Sequence, residues 1–275
     1  MTDSGTSDAL VNSTRLGDAT PDALRRSVGT RARRFLLAIT LLLGLLAAVG
    51  LALAGPSGDR TFAKLSDPVQ SLMSVIVPAF GILLARDLRP ASGAARYTPT
   101  LLAATVLAAL VGLFGFLVCA AALMATASSA QDPWRHVGTI AIGGVLVQVV
   151  AQLVGTGLGL LLRRPAIAFI ASIVLPLGLW FLLGAVDVLR PAQALTPYSS
   201  ARHLLSGQMS ALNWVQWLAV LLIWGVGLNT LGAARLRQRN HDVDLAPALG
   251  EQSPSSGVQS GTCPPTPDAR RSSAN

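Results

Sequence analysis

Six blocks of apolar residues, at about residues 35–55, 69–86, 101–127, 138–162, 166–187 and 214–234, alternate with shorter polar stretches along the chain. Each block is 18 to 27 residues long. A helix rises about 1.5 Å per residue, so blocks of this length cross a hydrocarbon core ~30 Å thick. The pattern predicts an all-α membrane protein, a bundle of six transmembrane helices. The first block has a rival reading. Arg33-Arg34 before it and Ala52-x-Ala54 at its end resemble a cleavable export signal. Its apolar run of about 20 residues exceeds the ~7–15 of a signal core, so an uncleaved first span is expected.

Composition supports the same class. Of the 275 residues 52% are hydrophobic and 12% charged, against about 25% charged in a soluble domain. That excludes a soluble enzyme, and so much apolar content excludes a disordered chain. Three regions follow. Residues 1–34 form a polar, basic cytoplasmic flank. Within it 22–34 reads either as a short interfacial helix or as a disordered flank. The helix would be capped by Thr20 or Asp22 and carry Arg25, Arg26, Arg31, Arg33 and Arg34 along the membrane surface. Residues 35–240 form the six-span domain. Residues 241–275, rich in Pro, Ser, Gly and Gln, are expected to be a disordered cytoplasmic tail.

Charge sets the expected orientation. The N-terminal flank, residues 86–100, Arg163-Arg164 and the segment from Arg235 hold 16 of the 21 basic residues, and the alternate connections hold five. The positive-inside rule then puts both termini in the cytoplasm, as an even number of spans requires. Trp134, Tyr198, Trp214 and Trp217 fall at outer boundaries and Tyr97 at an inner one, where amphipathic rings prefer the headgroup level. Trp180 and Trp224 lie deeper and need packing partners or a cavity. The formal net charge of +8 suits anionic lipid. Without a basic stripe interleaved with aromatics, no nucleic-acid partner is expected. Lys64 is the only lysine against twenty arginines, which suggests a GC-rich bacterial coding sequence, hence a multi-pass protein of a bacterial plasma membrane.

The connections are uneven. Leu162-Arg163-Arg164-Pro165 makes a tight hairpin between spans four and five, with Pro165 suited to a first helical position. Residues 86–98 have room for one short helix lying across the membrane. In the outer segment 188–213, Ala201, Leu204, Leu205, Gln208, Met209 and Leu212 recur at helical spacing, with Ser199 or Ser200 as cap. That predicts a short helix on the outer surface.

Candidate chemistry inside the spans is sparse. Asp187, the one acid near a span end, has Arg190 three residues on and reads as an interfacial ion pair. Proton- or sodium-driven transport normally needs a buried carboxylate or a broken helix. Gln148 and Gln152 share a face of span four with Gly144, and Gly155-x-x-x-Gly159 permits close backbone approach. These residues mark a cavity or dimer face, or interhelical bonding that holds the bundle. Ala108, Gly112 and Gly115 give span three similar small positions. Pro78 and Pro176 each remove one helix hydrogen bond, as kinks or hinges. No Ser/His pair, paired carboxylates or H-E-x-x-H motif indicates catalysis. Cys119 and Cys263 form no disulfide framework, and with His136, His203 and His241 they form no metal site. A P-loop lysine follows glycine, whereas Lys64 follows Ala63, so any ATP hydrolysis must belong to another chain.

The chain resembles the membrane-spanning permease subunit of type-2 ATP-binding-cassette (ABC) exporters over about residues 35–240. Three features carry the resemblance: six spans with cytoplasmic termini; the hairpin Gly157-Leu158-Gly159-Leu160-Leu161-Leu162-Arg163-Arg164-Pro165-Ala166-Ile167-Ala168 followed by Pro176; and the outer segment Leu195-Thr196-Pro197-Tyr198-Ser199-Ser200-Ala201-Arg202-His203-Leu204-Leu205-Ser206-Gly207, the most specific. Where the family often has a Glu-aromatic-Arg-x-Gly-Thr stretch after span two, this chain has Asp87-Leu88-Arg89 and no Gly-Thr. The resemblance implies a non-enzymatic subunit in a homodimer or heterodimer of permeases, paired with ABC ATPase subunits that carry ATP and Mg. It implies export of a small molecule or lipid. The ATPase contact is expected from residues 86–98, with Arg86, Asp87, Arg89 and Arg96 as candidates and help from the N-terminal flank. A non-transporting membrane scaffold or assembly factor and an ion-coupled carrier are the rival readings.

Overall fold

The computed structural model describes residues 29–88, 97–207, 209–235 and 238, and among these no strand occurs. Six helices are long and apolar enough to cross a membrane: α1 (Arg31–Ala54), α2 (Phe62–Leu88), α3 (Tyr97–Ala125), α4 (Val137–Leu161), α5 (Pro165–Ala185) and, after a short helix α6 (Pro197–Ser206), α7 (Ala211–Arg235). Nine residues of 3₁₀-helix, Asp187–Leu195, link α5 to α6.

The boundaries have local causes. The Thr61 hydroxyl accepts the Lys64 N–H at 3.4 Å, so α2 starts at Phe62, about seven residues before the apolar block suggests. From there Phe62, Leu65, Val69 and Met73 form a buried stripe at helical spacing, while Lys64, Asp67 and Pro68 are exposed. Pro165 occupies the first turn of α5, where its missing N–H costs nothing. Short helix α6 corrects the sequence expectation at both ends. Thr196, not Ser199 or Ser200, is the cap, its hydroxyl accepting the Ser199 N–H at 3.4 Å. Gly207, at φ +75°, stops the helix. Met209 therefore lies beyond it, Leu212 belongs to α7, and Gln208 lies outside the described residues.

Within α7 the ladder widens to a π-helix over Leu221–Gly227. Such a turn displaces one carbonyl from its usual donor. The Asn229 amide donates to the Gly225 carbonyl at 2.6 Å and to the Leu153 carbonyl of α4 at 2.9 Å, fastening α7 to α4 at that place.

The most extensive interface joins α2 to α4. On one side α1 and α3 complete a core of Ala48, Phe62, Val69, Met73, Val111 and Cys119. On the other, α6 and α7 pack on α4 through Val150, Val154, Leu204, Leu205, Trp217 and Trp224. Trp224 is thus packed at depth, while Trp180 stacks edge-to-face on Tyr198 at 5.2 Å. Lipid tails are as apolar as these side chains, so association rests on close packing and interhelical hydrogen bonds rather than on escape from water. Large apolar side chains on α1 and α5, such as Leu53, Ile170 and Phe181, stay exposed, as a lipid-facing surface allows.

The two sets of connections fall at opposite ends. At one end the Arg33 guanidinium donates to the Leu83 carbonyl at 2.8 Å. Gly159 lies against Ile82 and Ala85, and Gly232 against Leu160. This end gathers the start of α1, the end of α2, the α4–α5 hairpin and the end of α7. At the other end Arg60 donates to the Gly55 and Ala127 carbonyls, both at 3.0 Å. There the Phe62 N–H donates to the Pro133 carbonyl at 2.8 Å, and Gly207 lies against His136.

Candidate functional site: a polar seam and a cavity beside it

The α2–α4 interface holds a cluster of buried amide side chains, Gln70, Gln148 and Gln152. Gly112 of α3 offers its carbonyl to the Gln70 amide at 2.9 Å. Gln148 donates to both the side-chain and main-chain oxygens of Gln70, each at 2.9 Å. Gln152 satisfies both ends of its amide when its nitrogen donates to the Val77 carbonyl at 2.8 Å and its oxygen accepts the Gly81 N–H at 3.2 Å. Both glutamines of span four are therefore buried against α2 and bond to it.

Glycines make this seam possible. A β-carbon on Gly155 would stand 2.5 Å from the Pro78 Cα, and one on Gly159 would stand 2.8 Å from the Ile82 Cα. One on Gly144 would stand 2.7 Å from the Gln70 Nε2. The packing-face candidates Gln148, Gln152, Gly155 and Gly159 thus come together at one interface within the chain. Sequence reasoning missed Gln70, the α2 partner of Gln148. It lies eight residues before Pro78, on the stripe that begins at Phe62.

Beside the seam, α2, α4, α5, α6 and α7 line a partly open cavity of about 240 Å³. Its walls are largely apolar, including Val150, Val154, Ile173, Leu177, Trp217 and Val220. Four serines also line it, Ser71, Ser74, Ser172 and Ser200, and three of them use their protons nearby. Ser74 donates to the Ser71 carbonyl at 2.8 Å, Ser172 to Phe169 at 2.7 Å and Ser200 to Ala194 at 3.4 Å. Pro78 and Pro176, on two different helices, both border this one space. Helix α6 borders it with Tyr198 and Arg202, one turn apart on one face. Trp217, expected at the outer boundary, turns inward and is 7% exposed. The sequence singled out Pro78, Pro176 and the outer segment Leu195–Gly207 separately, and only the folded chain brings them to one cavity.

Two of the four ATPase-contact candidates lie in described structure, at the end of α2. Arg86 is exposed near the end of α2, Asp87 lies in its last turn, and Arg89 and Arg96 lie outside the described residues. So do the expected helix across 86–98 for most of its length, Arg25 and Arg26, and the C-terminal tail. Arg33, expected on the membrane surface, is instead 3% exposed and holds α1 to α2. Asp187 and Arg190 form an exposed ion pair at 3.3 Å. Among the described residues no group of three or more His, Cys, Asp or Glu is placed to hold a metal. No family model and no curated protein matches this chain.

Proposed function

We propose that this chain is the permease subunit of an ATP-driven exporter of the ABC type. It moves a small molecule or lipid outward across a bacterial plasma membrane, with both termini in the cytoplasm. One observation carries the reading. Pro176 of α5 and Pro197, Tyr198, Ala201 and Arg202 of α6, which belong to stretches behind the family resemblance, border one cavity inside a bundle of six apolar helices. A cavity walled by several helices and bordered by two prolines is a reasonable place for a transported molecule to rest. ATP and Mg then belong to a partner ATPase. Its contact surface comprises residues 86–98 with the N-terminal flank, and a second permease chain completes the transporter. The Arg33–Leu83 bond supports that surface by bringing the start of α1 to the end of α2.

The test is affinity purification from the native host in mild detergent, with partners identified by mass spectrometry. The proposal expects an ABC ATPase at about equal abundance. Recovery of a different membrane complex with no ATPase would favour a scaffold. Transport that collapses with the proton or sodium gradient, and not with ATP depletion, would favour an ion-coupled carrier.

A further inference from the structure

The geometry points to the kind of molecule the cavity holds: a single-chain amphiphile with an anionic head, its head at Arg202 and Tyr198 and its chain between α2, α4 and α5. This rests on the cavity and deepens the proposed function by naming a substrate class.

The head end is defined by what is left unpaired. Arg202 is exposed, lines the cavity, and makes no hydrogen bond or ion pair among the described residues. Tyr198, one turn earlier, is held by its ring against Trp180 at 5.2 Å, which leaves its hydroxyl free to donate. A guanidinium and a phenol on one helical face present two donors to a carboxylate, phosphate or sulfate at the cavity. The described carboxylates do not line the cavity.

The chain end is defined by the walls. The cavity runs along α2 from Ser71 to Pro78 and along α4 from Val147 to Val154, about 10 Å at the helical rise. Of the four lining serines, Ser74 and Ser172 spend their protons on their own helices and Ser200 on the Ala194 carbonyl, so Ser71 is the one lining hydroxyl left beside an otherwise apolar wall. A dry cavity of about 150 Å³ takes one benzene-sized molecule. This one, at about 240 Å³, is larger and elongated, which suits a chain better than a ring.

The test uses the full chain in phosphatidylcholine nanodiscs, without any ATPase. A diazirine-bearing fatty acid is photo-crosslinked and the adducts are mapped by mass spectrometry. Decanoate, decanol and decyltrimethylammonium serve as competitors. Adducts are expected on residues 147–154 and 172–177, displaced by decanoate in preference to decanol and the cation. Arg202→Gln should weaken decanoate competition about tenfold, the size of a lost charge-assisted bond, and leave decanol unchanged. Arg202→Lys should restore most of the loss. Ala151→Trp should abolish cavity adducts by filling the space. Equal competition by all three amphiphiles, no effect of Arg202→Gln, or adducts spread evenly over exposed α1 and α5 would overturn the inference. Binding without an ATPase partner would leave this inference standing and remove the exporter reading. An ATPase partner without binding would do the reverse.

Discussion

Replacing Gly155 with alanine tests whether the α2–α4 seam holds the bundle together. The added β-carbon would stand 2.5 Å from the Pro78 Cα, and closer still to its carbonyl oxygen, where ordinary contact begins at 3.4 Å. Both obstacles are backbone atoms, so no side-chain rotation relieves them. The helices must part by about 1 Å. Overpacking of this kind costs about 1–3 kcal/mol. Parting also stretches the two Gln152 bonds across the seam, which within a membrane are worth about 0.6–1.7 kcal/mol each. The expected loss is about 2–4 kcal/mol. Gly178, on α5, provides the control, because a β-carbon there meets nothing within 4 Å. Gly178→Ala should be neutral or stabilising by up to ~1 kcal/mol through helix propensity. Both variants are heated in detergent and the surviving fraction is read by size-exclusion chromatography. Gly155→Ala should melt several degrees lower and Gly178→Ala at or above wild type. Equal midpoints for Gly155→Ala and wild type, or equal damage from both substitutions, would refute the packing argument.

Three further outcomes follow from the same contacts. A double-mutant cycle of Gln70→Leu and Gln148→Leu, read by resistance to denaturing detergent, should give a coupling of about 0.6–1.7 kcal/mol; purely additive effects would mean their bonds at 2.9 Å contribute nothing. Arg33→Gln should destabilise by about 1.5–3 kcal/mol, because a nearly buried guanidinium loses its bond to the Leu83 carbonyl, and proteolysis of the α1 end should quicken. Asp187→Asn should leave the melting midpoint unchanged, since the Asp187–Arg190 pair is exposed; a clear drop would show that the ion pair anchors the 3₁₀ link.

The spans were readable because apolar runs of this length permit little else in a membrane. The α2 boundary was not, because Lys64, Asp67 and Pro68 dilute the local hydropathy. The information lay in periodicity, in Phe62, Leu65, Val69 and Met73, rather than in a continuous block. Gln148, Gln152, Gly155 and Gly159 stood out as a packing set, but the α2 residue that Gln148 bonds was invisible. Gln70 is 78 residues from Gln148, and nothing local announces a pairing at that separation. The cap of α6 was misplaced by a few residues because Thr196, Ser199 and Ser200 all carry a capping hydroxyl. Pro197 decides among them, since its fixed φ suits the first helical position and puts Thr196 at the cap. The cavity was least legible. Pro78, Pro176, Tyr198 and Arg202 each carried a signal, but their convergence depends on how α6 lies across α2, α4 and α5.

The most direct measurement is ATP hydrolysis by the copurified ATPase, alone and in complex with this chain in nanodiscs. The complex is prepared with the natural segment 86–98 and with a Gly-Ser replacement of equal length. The account expects this chain to change the hydrolysis rate, and the replacement to abolish that change while the six-span domain stays folded. Hydrolysis at the same rate with and without this chain would contradict it.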